Sequence, residues 1–186
     1  MPPQFSVIAP LLNEDQNVLE LYSRLTNVLK QMEAGYEIIF VDDGSKDRTL
    51  LSIENIASED DGVRYISFSR NFGHQIALFA GLQKCSGEYI VLIDGDLQDP
   101  PEIIASLFLK IKQGYNVVYA KRINRKGETF VKKATAKIFY RILRKITAIN
   151  IPVDTGDFRI MDRKVCNELL KMNDHRKFLR GQIAWL

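Results

Sequence analysis

Short apolar runs alternate with helix-like segments along the first two thirds of this 186-residue chain. The runs are rich in β-branched and aromatic residues, which predicts strands, and the segments between them carry apolar residues at helical spacing. Strands that alternate with helices indicate a mostly parallel sheet with helices on both faces. We therefore expect an α/β fold with strands at Phe5–Ala9, Glu37–Val41, Val63–Phe68, Tyr89–Ile93 and Asn116–Ala120.

Two carboxylates stand directly after the fourth predicted strand, in Asp94-Gly95-Asp96. Gly95 leaves the backbone between them free to turn or to approach a ligand closely. In an open α/β sheet, ligands bind at the carboxyl ends of the strands. Two hard oxygen donors at that edge suit Mg²⁺ or Mn²⁺, and such an ion suits a diphosphate. The alternative, a solvated acidic turn, is the commoner meaning of an isolated Asp-x-Asp, so the surrounding sequence has to decide.

Polar loops also follow the first two predicted strands, as Asn13-Glu14 and Asp42-Asp43. Because parallel strands end at one edge of a sheet, these loops and Asp94–Asp96 are expected to share a nucleotide pocket. No G-x-G-x-x-G follows the first strand, and no G-x-x-x-x-G-K-S/T occurs in the chain. Dinucleotide oxidoreductases and P-loop enzymes are therefore poor candidates.

Capping residues predict where two of the helices begin. Asn13, with Gln16 three residues later, is typical of a capping box before the first helix. Asp99, Pro100 and Glu102 indicate a cap, a proline at the first position and an acid at the third for the helix after the fourth strand. The two helices are thus expected to start directly after Asn13 and Asp99.

Charge is segregated along the chain, although the net charge is only +3. Residues 121–145 hold ten Lys or Arg and one Glu, a net +9, so the remaining residues sum to −6. This segregation points to a phosphate-rich ligand or an anionic membrane surface. Within it, Phe130–Ile149 is typical of one amphipathic helix with a strongly basic face, which is either solvated or bound to a membrane. Nucleic acid is disfavoured because no recognised binding motif accompanies the charge.

Signals for secretion and for a membrane span are missing from the sequence. The chain opens on MPPQF, which has neither a basic nor an apolar signal segment, and no run of about 18 apolar residues occurs. We expect that these residues do not themselves cross a membrane. Cys85 and Cys166 form no metal pattern and are interpreted as free thiols in a reducing compartment.

Six stretches stand in order along the chain: SVIAPLLNE, IIFVDDGSKDRT, SRNFGHQIALFAGL, GEYIVLIDGDLQDPPE, VVYAKR and DTGDFRIMDR. In sequence and order they resemble family 2 glycosyltransferases with the GT-A fold. The resemblance is to the polyprenyl-phosphate subgroup, which includes dolichyl-phosphate mannose synthases and bacterial undecaprenyl-phosphate sugar transferases. It runs from about Phe5 to Leu186, and SRNFGHQ, DGDLQDPP and GDFRIMDR together are specific to that subgroup, whereas the D-x-D alone is not.

The resemblance implies an inverting enzyme that moves a sugar from a nucleotide diphosphate sugar, with UDP preferred to GDP, to undecaprenyl or dolichyl phosphate. It implies one GT-A catalytic domain over residues 1–186 on the cytoplasmic face of the membrane, with transmembrane helices following in the full protein, and leaves a homo-oligomer open. A lipid acceptor favours the membrane-surface interpretation of Phe130–Ile149. A family 2 transferase of polysaccharide synthesis is the alternative enzyme. An inactive nucleotide-sugar-binding membrane module is disfavoured by the intact Asp94, Asp96 and Asp157.

The resemblance also implies the metal and catalytic residues. Asp94, Asp96 and Gln98 match the motif that holds Mg²⁺ or Mn²⁺ and the donor sugar, and Asp96 is expected to act in catalysis through that metal. Asp157, in a turn before a short predicted strand at Phe158–Met161, matches the proposed catalytic base. The alternative for this acidic motif is a phosphatase with an aspartyl-phosphate intermediate. It is disfavoured because such enzymes normally have Thr or Val at the position of Gln98.

Further residues are implied in binding the nucleotide and the phosphates. Nucleotide contacts are expected at Pro10, Leu12, Asn13, Glu14, Asp42, Asp43, Arg70 and Asp94. Asp42 is preferred to Asp43 for a base N–H, although an Asx turn with Gly44 is also compatible. Phosphates of donor or acceptor are expected at Arg122, Arg125, Arg159 and Arg180. Arg159 could instead pair with Asp162, and His74 is interpreted as structural more readily than as a ligand contact.

Overall fold

A six-stranded sheet forms the centre of the protein, whose computed structural model describes residues 3–121, 155–174 and 177–186. Its strands are β1 (Phe5–Leu11), β2 (Tyr36–Asp42), β3 (Val63–Ser67), β4 (Tyr89–Leu92), β5 (Val117–Lys121) and β6 (Thr155–Asp162). The described helices are α1 (Val18–Gln31), α2 (Thr49–Glu59), α3 (His74–Lys84), α4 (Ile104–Ile111), α5 (Arg163–Lys171) and α6 (Leu179–Trp185). A short 3-10 turn, Pro101–Ile103, precedes α4.

The strand order is β3-β2-β1-β4-β6-β5. The first four strands of that order are parallel neighbours, whereas β6 runs antiparallel to both β4 and β5. This confirms the predicted α/β fold with a mostly parallel sheet. All five strands predicted in the first 120 residues are present, and none of their ends moves by more than two residues.

The central strands β1, β2 and β4 are buried on both faces, which explains why unbroken apolar runs predicted them. Every residue of β1 is buried. Val7 belongs to a core cluster with Leu25 of α1, whereas its neighbour Ile8 belongs to a second cluster with Leu82 of α3. The alternation of side chains along a strand therefore sends successive apolar residues into two separate cores.

The start of α1 differs from the prediction. The helix begins at Val18, with Asn17 at the N-cap and no side-chain capping bond. Asn13 lies outside the helix at φ 56°, in the left-handed region that Asn tolerates. Its backbone N–H donates to Ser45 Oγ at 2.9 Å, and its side-chain oxygen accepts from the backbone N–H of Lys46 at 2.8 Å. A loop contact after β2 thus replaces the expected capping box.

The helix start after β4 also differs. Pro100, not Asp99, occupies the N-cap of the 3-10 turn that leads into α4. Asp99 is drawn into the interior, where it is 3% exposed. Glu102 faces away from the cap and forms an ion pair with Arg24 of α1, with 2.7 Å between Oε2 and Nη2. The acid at the third position therefore links two helices instead of closing a cap.

The predicted basic helix Phe130–Ile149 lies outside the described residues, as do Arg122 and Arg125. Their expected roles stay predictions from the sequence. In the ranges that the structure does describe, no helix combines the length and the apolar character needed to cross a bilayer.

Candidate active site

A cavity of about 420 Å³ opens at the carboxyl ends of β1, β2 and β4. This is the edge of an open α/β sheet where ligands bind, and where the sequence predicted a nucleotide pocket. The lining residues are Pro10, Leu11, Leu12, Glu14, Asp43, Asn71, His74, Asp94, Gly95, Asp96 and Asp157.

Three side chains from distant parts of the chain converge in the cavity. His74 is the first residue of α3, Asp94 follows β4, and Asp157 lies on β6. The His74 Nε2 atom is 3.4 Å from Asp94 Oδ1 and 3.2 Å from Asp157 Oδ2. One ligand atom from each residue lies within 4.8 Å of the other two, which is close enough for all three to hold one metal ion.

The register of the antiparallel pair β4–β6 brings the two carboxylates together. Leu92 is paired with Arg159 at the end of the ladder. If this antiparallel register is continued by two residues, forward from Leu92 and backward from Arg159, Asp94 stands opposite Asp157. The pairing joins segments more than 60 residues apart in the chain, so it depends on the tertiary fold. It could not be predicted from the sequence around Asp94 or around Asp157 alone.

Gly95 allows the acidic turn to lie against the end of β1. A Cβ atom at this position would stand 2.3 Å from Cδ2 of Leu11 and 3.2 Å from the Pro10 carbonyl oxygen. A side chain of any size would push the turn away from β1. The glycine thus sets how deeply Asp94 and Asp96 reach into the cavity.

Asp157 is held by two guanidinium groups in addition to His74. Arg159 Nη2 donates to Asp157 Oδ1 at 2.6 Å. Arg180 donates to Oδ1 from Nε at 2.9 Å and to Oδ2 from Nη2 at 3.0 Å. Burial alone would raise the pKa of the Asp157 carboxyl, but the hydrogen bonds from His74 and Arg180 and the charge of Arg159 outweigh it. The pKa is therefore held well below its usual range.

The other two groups of the cluster are shifted upward. The hydrogen bond to Asp157 raises the pKa of His74 against the effect of burial, and the charges of Asp94 and Asp157 act in the same direction. Burial raises the pKa of the Asp94 carboxyl; the charge of His74 opposes this, while Asp157, Asp96 and Asp99 add to it. The cluster is thus an environment in which additional positive charge is favourable.

One carboxylate oxygen of the cluster indicates that the residues fit a divalent cation. Asp94 Oδ1 is buried and receives no hydrogen bond from any residue that the structure describes. His74 Nε2 lies 3.4 Å away, too poorly aligned for a hydrogen bond, so this buried acceptor stays unsatisfied at a cost that a bound cation would remove. Carboxylate oxygens are the donors that Mg²⁺ and Mn²⁺ accept, and imidazole is the commonest metal-binding side chain in proteins.

The expected metal ligands are only partly assembled in the structure. Asp94 and Asp96 line the cavity, but Gln98 is exposed and does not line it. The backbone N–H of Gln98 donates to Asp96 Oδ1 at 3.0 Å, which turns the chain away from the site. His74, interpreted from the sequence as structural, lies at the position of a third ligand instead. The signal for it was its place after β3, at the same edge of the sheet.

The two aspartates at the end of β2, both expected as nucleotide contacts, are placed differently by the structure. Asp42 is 1% exposed, and its oxygens accept from the Ser45 backbone N–H and the Ser67 hydroxyl. Asp43 lines the cavity and accepts from the backbone N–H groups of Phe72 at 2.7 Å and Gly73 at 3.0 Å. The geometry therefore favours Asp43 over Asp42 as the residue nearer to a ligand, and Asp43 also fixes the loop that leads to His74.

Five of the expected nucleotide contacts line the cavity: Pro10, Leu12, Glu14, Asp43 and Asp94. Asn13 does not, because its side chain is engaged with the loop after β2. Arg70 also lies off the cavity wall, and its guanidinium stacks on the ring of Phe72 at 4.4 Å from the ring centroid. Its neighbour Asn71 is the residue of that loop that reaches the cavity.

Of the arginines expected to bind phosphate, the structure describes Arg159 and Arg180, and these two differ in exposure. Arg159 is fully buried, where it pairs with Asp157 and stacks on Tyr119 at 5.0 Å, and it does not pair with Asp162. This geometry does not support the expected contact of Arg159 with a phosphate, because its side chain has no exposed surface in the structure. The side chain of Arg180 is 30% exposed beside the same carboxylate, although Arg180 is not among the residues that line the cavity.

Comparison with known sequences gives a consistent family. Residues 6–170 match the Glycosyl transferase family 2 domain. The uncharacterized glycosyltransferase YkcC of Bacillus subtilis strain 168 is 51% identical over 183 residues, which are 98% of this chain and 57% of that protein. The bactoprenol glucosyl transferase of Shigella phage SfV is 37% identical over 183 residues, which are 98% of this chain and 60% of that protein. The chain thus spans somewhat more than half the length of these relatives.

Solved structures agree at the level of the fold. Glucosyl-3-phosphoglycerate synthase from Mycobacterium tuberculosis, in complex with Mn²⁺, UDP-glucose and phosphoglyceric acid, superposes with a TM-score of 0.65 at 24% identity. The superposition covers 88% of this chain and 58% of that chain. The family match and the superposition agree, and the chain belongs to glycosyl transferase family 2 with the GT-A fold.

Proposed function

We propose that the protein transfers a sugar from a nucleotide diphosphate sugar, with UDP preferred, to a polyprenyl phosphate. The observation that carries the proposal is the convergence of Asp94, Asp96, Asp157 and His74 in one cavity at the carboxyl edge of the sheet. The acceptor class is supported by the bactoprenol glucosyl transferase relative, and the UDP preference by the synthase bound to UDP-glucose.

The acidic cluster needs a cation before it can receive a diphosphate, because like charges would otherwise repel at short range. A divalent cation held by Asp94, His74 and Asp157, with Asp96 beside them, would neutralise the charge that develops on the leaving diphosphate. Asp43 and the backbone it holds shape the neighbouring wall of the cavity, where we place the nucleoside.

In the proposed reaction an oxygen of the acceptor phosphate attacks C1 of the sugar while the bond from C1 to the donor diphosphate breaks. A single displacement of this kind inverts the configuration at C1. The second pKa of a phosphate monoester is about 6, so most of the acceptor is already a dianion at pH 7 and little proton removal is required.

Asp157 is therefore assigned a positioning role in this proposal in place of the catalytic base expected from the sequence. Its low pKa makes it a weak proton acceptor. Its carboxylate instead orients His74 and Arg180 towards the cavity. Arg180, a partly exposed cation that is bonded to Asp157, is the described residue that we assign to the acceptor phosphate.

The proposed location is the cytoplasmic face of the membrane. It rests on the lipid character of the acceptor and on the basic amphipathic pattern of 130–149, which lies outside the described residues. Positive side chains next to an anionic bilayer would keep the cavity close to a lipid-borne phosphate.

The proposal is tested by incubating the full-length protein with undecaprenyl phosphate, Mn²⁺ and a panel of UDP- and GDP-sugars, and detecting a lipid-linked sugar by mass spectrometry. We expect one donor to give a product that is absent with unphosphorylated undecaprenol. Asp94→Asn should abolish the product, whereas Glu54→Gln, an exposed change outside the cavity, should not. A soluble glycan as the sole product would instead favour polysaccharide synthesis, and no transfer from any donor would contradict the proposal.

A further inference from the structure

A pair of thiols lies outside the cavity and takes no part in the proposed reaction. Cys85 is the C-cap of α3, and Cys166 lies in the first turns of α5, with 3.9 Å between the two sulfur atoms. Cys85 is half-buried and Cys166 is fully buried. They are the two cysteines of the chain, so any thiol chemistry of the protein belongs to this pair.

Arg163 holds a positive charge against both sulfur atoms. Its Nη1 atom is 3.4 Å from Cys85 Sγ and 3.7 Å from Cys166 Sγ. The guanidinium is fixed by hydrogen bonds to the carbonyl oxygens of Cys85, at 3.2 Å from Nη1, and Gly87, at 2.8 Å from Nε. A guanidinium locked in this way lowers the cost of forming a thiolate beside it.

We propose that Cys85 and Cys166 form a peroxide-reactive modification site, in which Cys85 is oxidised first and Cys166 then closes a disulfide between α3 and α5. The half-buried sulfur is the one that an oxidant reaches, and the buried sulfur is in contact with it. A disulfide needs the two sulfurs to be about 2 Å apart, so closure requires the two sulfurs to approach by about 2 Å from their separation of 3.9 Å.

The electrostatics of the pair agree with this order of events. The hydrogen bond from Cys166 and the charge of Arg163 lower the pKa of the Cys85 thiol to about 7, against the opposing effects of burial and of Glu37. The pKa of Cys166 is raised, first by its hydrogen bond to Cys85 and then by burial. Once Cys85 is oxidised, its sulfur no longer carries the negative charge that helps to keep Cys166 protonated, and Arg163 can then favour the second thiolate.

The chemistry is balanced with hydrogen peroxide as the oxidant. The Cys85 thiolate attacks one peroxide oxygen, the O–O bond breaks, and a sulfenic acid and hydroxide form. Cys166 loses its proton to that hydroxide, which leaves as water, and its sulfur attacks the Cys85 sulfur. The S–O bond breaks and a second hydroxide leaves, taking up the proton released when the Cys85 thiolate formed. In total two thiols and one peroxide give a disulfide and two water molecules.

The test uses the full chain, reduced and then treated with hydrogen peroxide, with intact mass and free-thiol content as readouts. We expect wild type to lose two hydrogens and both thiols without forming a dimer, and dithiothreitol to restore them. Cys166→Ser should gain one oxygen and become trappable by dimedone, whereas Cys85→Ser should react much more slowly. Thermal unfolding of each variant checks that the fold is retained.

A matched pair of charge variants tests the part played by Arg163. Arg163→Gln should slow oxidation of the wild-type thiol pair several-fold, whereas Lys164→Gln, which removes an exposed charge from the same helix, should leave the rate unchanged. Retention of both thiols in wild type, or a disulfide that joins two chains, would overturn the proposal without any variant.

Discussion

Arg180 and Asp157 form a two-point contact, in which Nε donates to Oδ1 at 2.9 Å and Nη2 donates to Oδ2 at 3.0 Å. Arg159 donates to Oδ1 of the same carboxylate at 2.6 Å from the buried side. A carboxylate that is 5% exposed is therefore paired with two cations. Removing its charge would leave the fully buried Arg159 without a counter-ion, and such an unpaired buried charge is strongly destabilising.

The first prediction is that Asp157→Asn destabilises the fold by about 3 kcal/mol at pH 7. The depressed pKa of Asp157 means that its contribution is fully present above the usual carboxyl pKa of about 4 and is lost as the pH falls through the lower folded value. The stability difference between wild type and variant should therefore be largest between about pH 5 and pH 6 and shrink below about pH 4. It should also decrease above about pH 6.5, because the pKa of His74 is raised chiefly by its hydrogen bond to Asp157 and that contribution is lost as the imidazole gives up its proton. Urea unfolding measures it, with Asp61→Asn as an exposed control of near-zero effect.

The second prediction separates the two roles that Asp157 could have in transfer. If Asp157 positions Arg180 and His74, Asp157→Asn should lower turnover about 100-fold with a defect that is the same at pH 6 and pH 8. A general base would give a defect that shrinks above pH 7, where the acceptor is already a dianion. UDP binding by the variant, measured in parallel at saturating Mn²⁺, should weaken by much less than turnover, because Asp94 and His74 can still hold the cation. Wild-type turnover at pH 6 would remove Asp157 from both roles.

The third prediction concerns the cation. UDP should bind at least about tenfold more weakly in EDTA than with Mn²⁺, because the carboxylates of Asp94 and Asp96 then repel the diphosphate. His74→Ala should reduce the Mn²⁺ dependence, whereas Glu168→Gln, an exposed acid of α5, should preserve it. Calorimetry with and without EDTA gives the comparison. Equal affinities in wild type would contradict the proposed cation site.

The strands were predictable because burial on both faces leaves a continuous apolar run in the sequence, as at Tyr89–Leu92. The edge of the site was predictable for a related reason, since parallel strands gather their carboxyl-end loops. Asn13 shows where local patterns fail. Its sequence fits a capping box, but a contact with Lys46 across the sheet edge was available and displaced it. The local preference for a cap was therefore overridden by a tertiary hydrogen bond, whose two partners do not occur together in any short segment of the sequence.

The site residues that sequence reasoning missed depend on register and burial. His74 belongs to the cation cluster because α3 starts beside the end of β4 and the beginning of β6, and the motif around His74 contains no information on that proximity. Arg159 looked like a phosphate ligand, yet the β4–β6 register turns it into the core beside Tyr119. The choice between Asp42 and Asp43 likewise depends on which side of the chain faces the cavity after β2.

The fourth prediction tests the packing of α3 on β1, which sets the depth of the cavity wall. A Cβ atom on Gly81 would lie 2.3 Å from Cγ2 of Ile8. Gly81→Ala should therefore cost about 1–3 kcal/mol of stability through overpacking, despite the better helix propensity of alanine. Gly35→Ala is the control, because its Cβ would have no neighbour closer than 3.8 Å. Thermal or urea unfolding compares them, and an equal effect of both changes would show that the contact relaxes freely.

The last prediction is that the contribution of His74 to stability depends on pH in the metal-free protein. Its pKa is raised, chiefly by the hydrogen bond to Asp157. Its contribution is therefore fully present below the ordinary histidine pKa of about 6.5 and is lost as the pH rises through the higher folded value. In EDTA, His74→Gln should destabilise the protein more at pH 6 than at pH 9, as judged by urea unfolding.

Asp157, whose pKa is lowered, stays ionised across this interval in wild type, so the change at the hydrogen bond between the two residues follows the imidazole. His74 Nε2 lies close to the carboxylates of both Asp94 and Asp157. A proton and a metal ion would compete for this one atom. Adding Mn²⁺ should accordingly stabilise wild type more at pH 9 than at pH 6, while the variant should lose this difference. An equal difference in unfolding free energy between wild type and variant at both pH values would show that titration of His74 does not control the stability of this cluster.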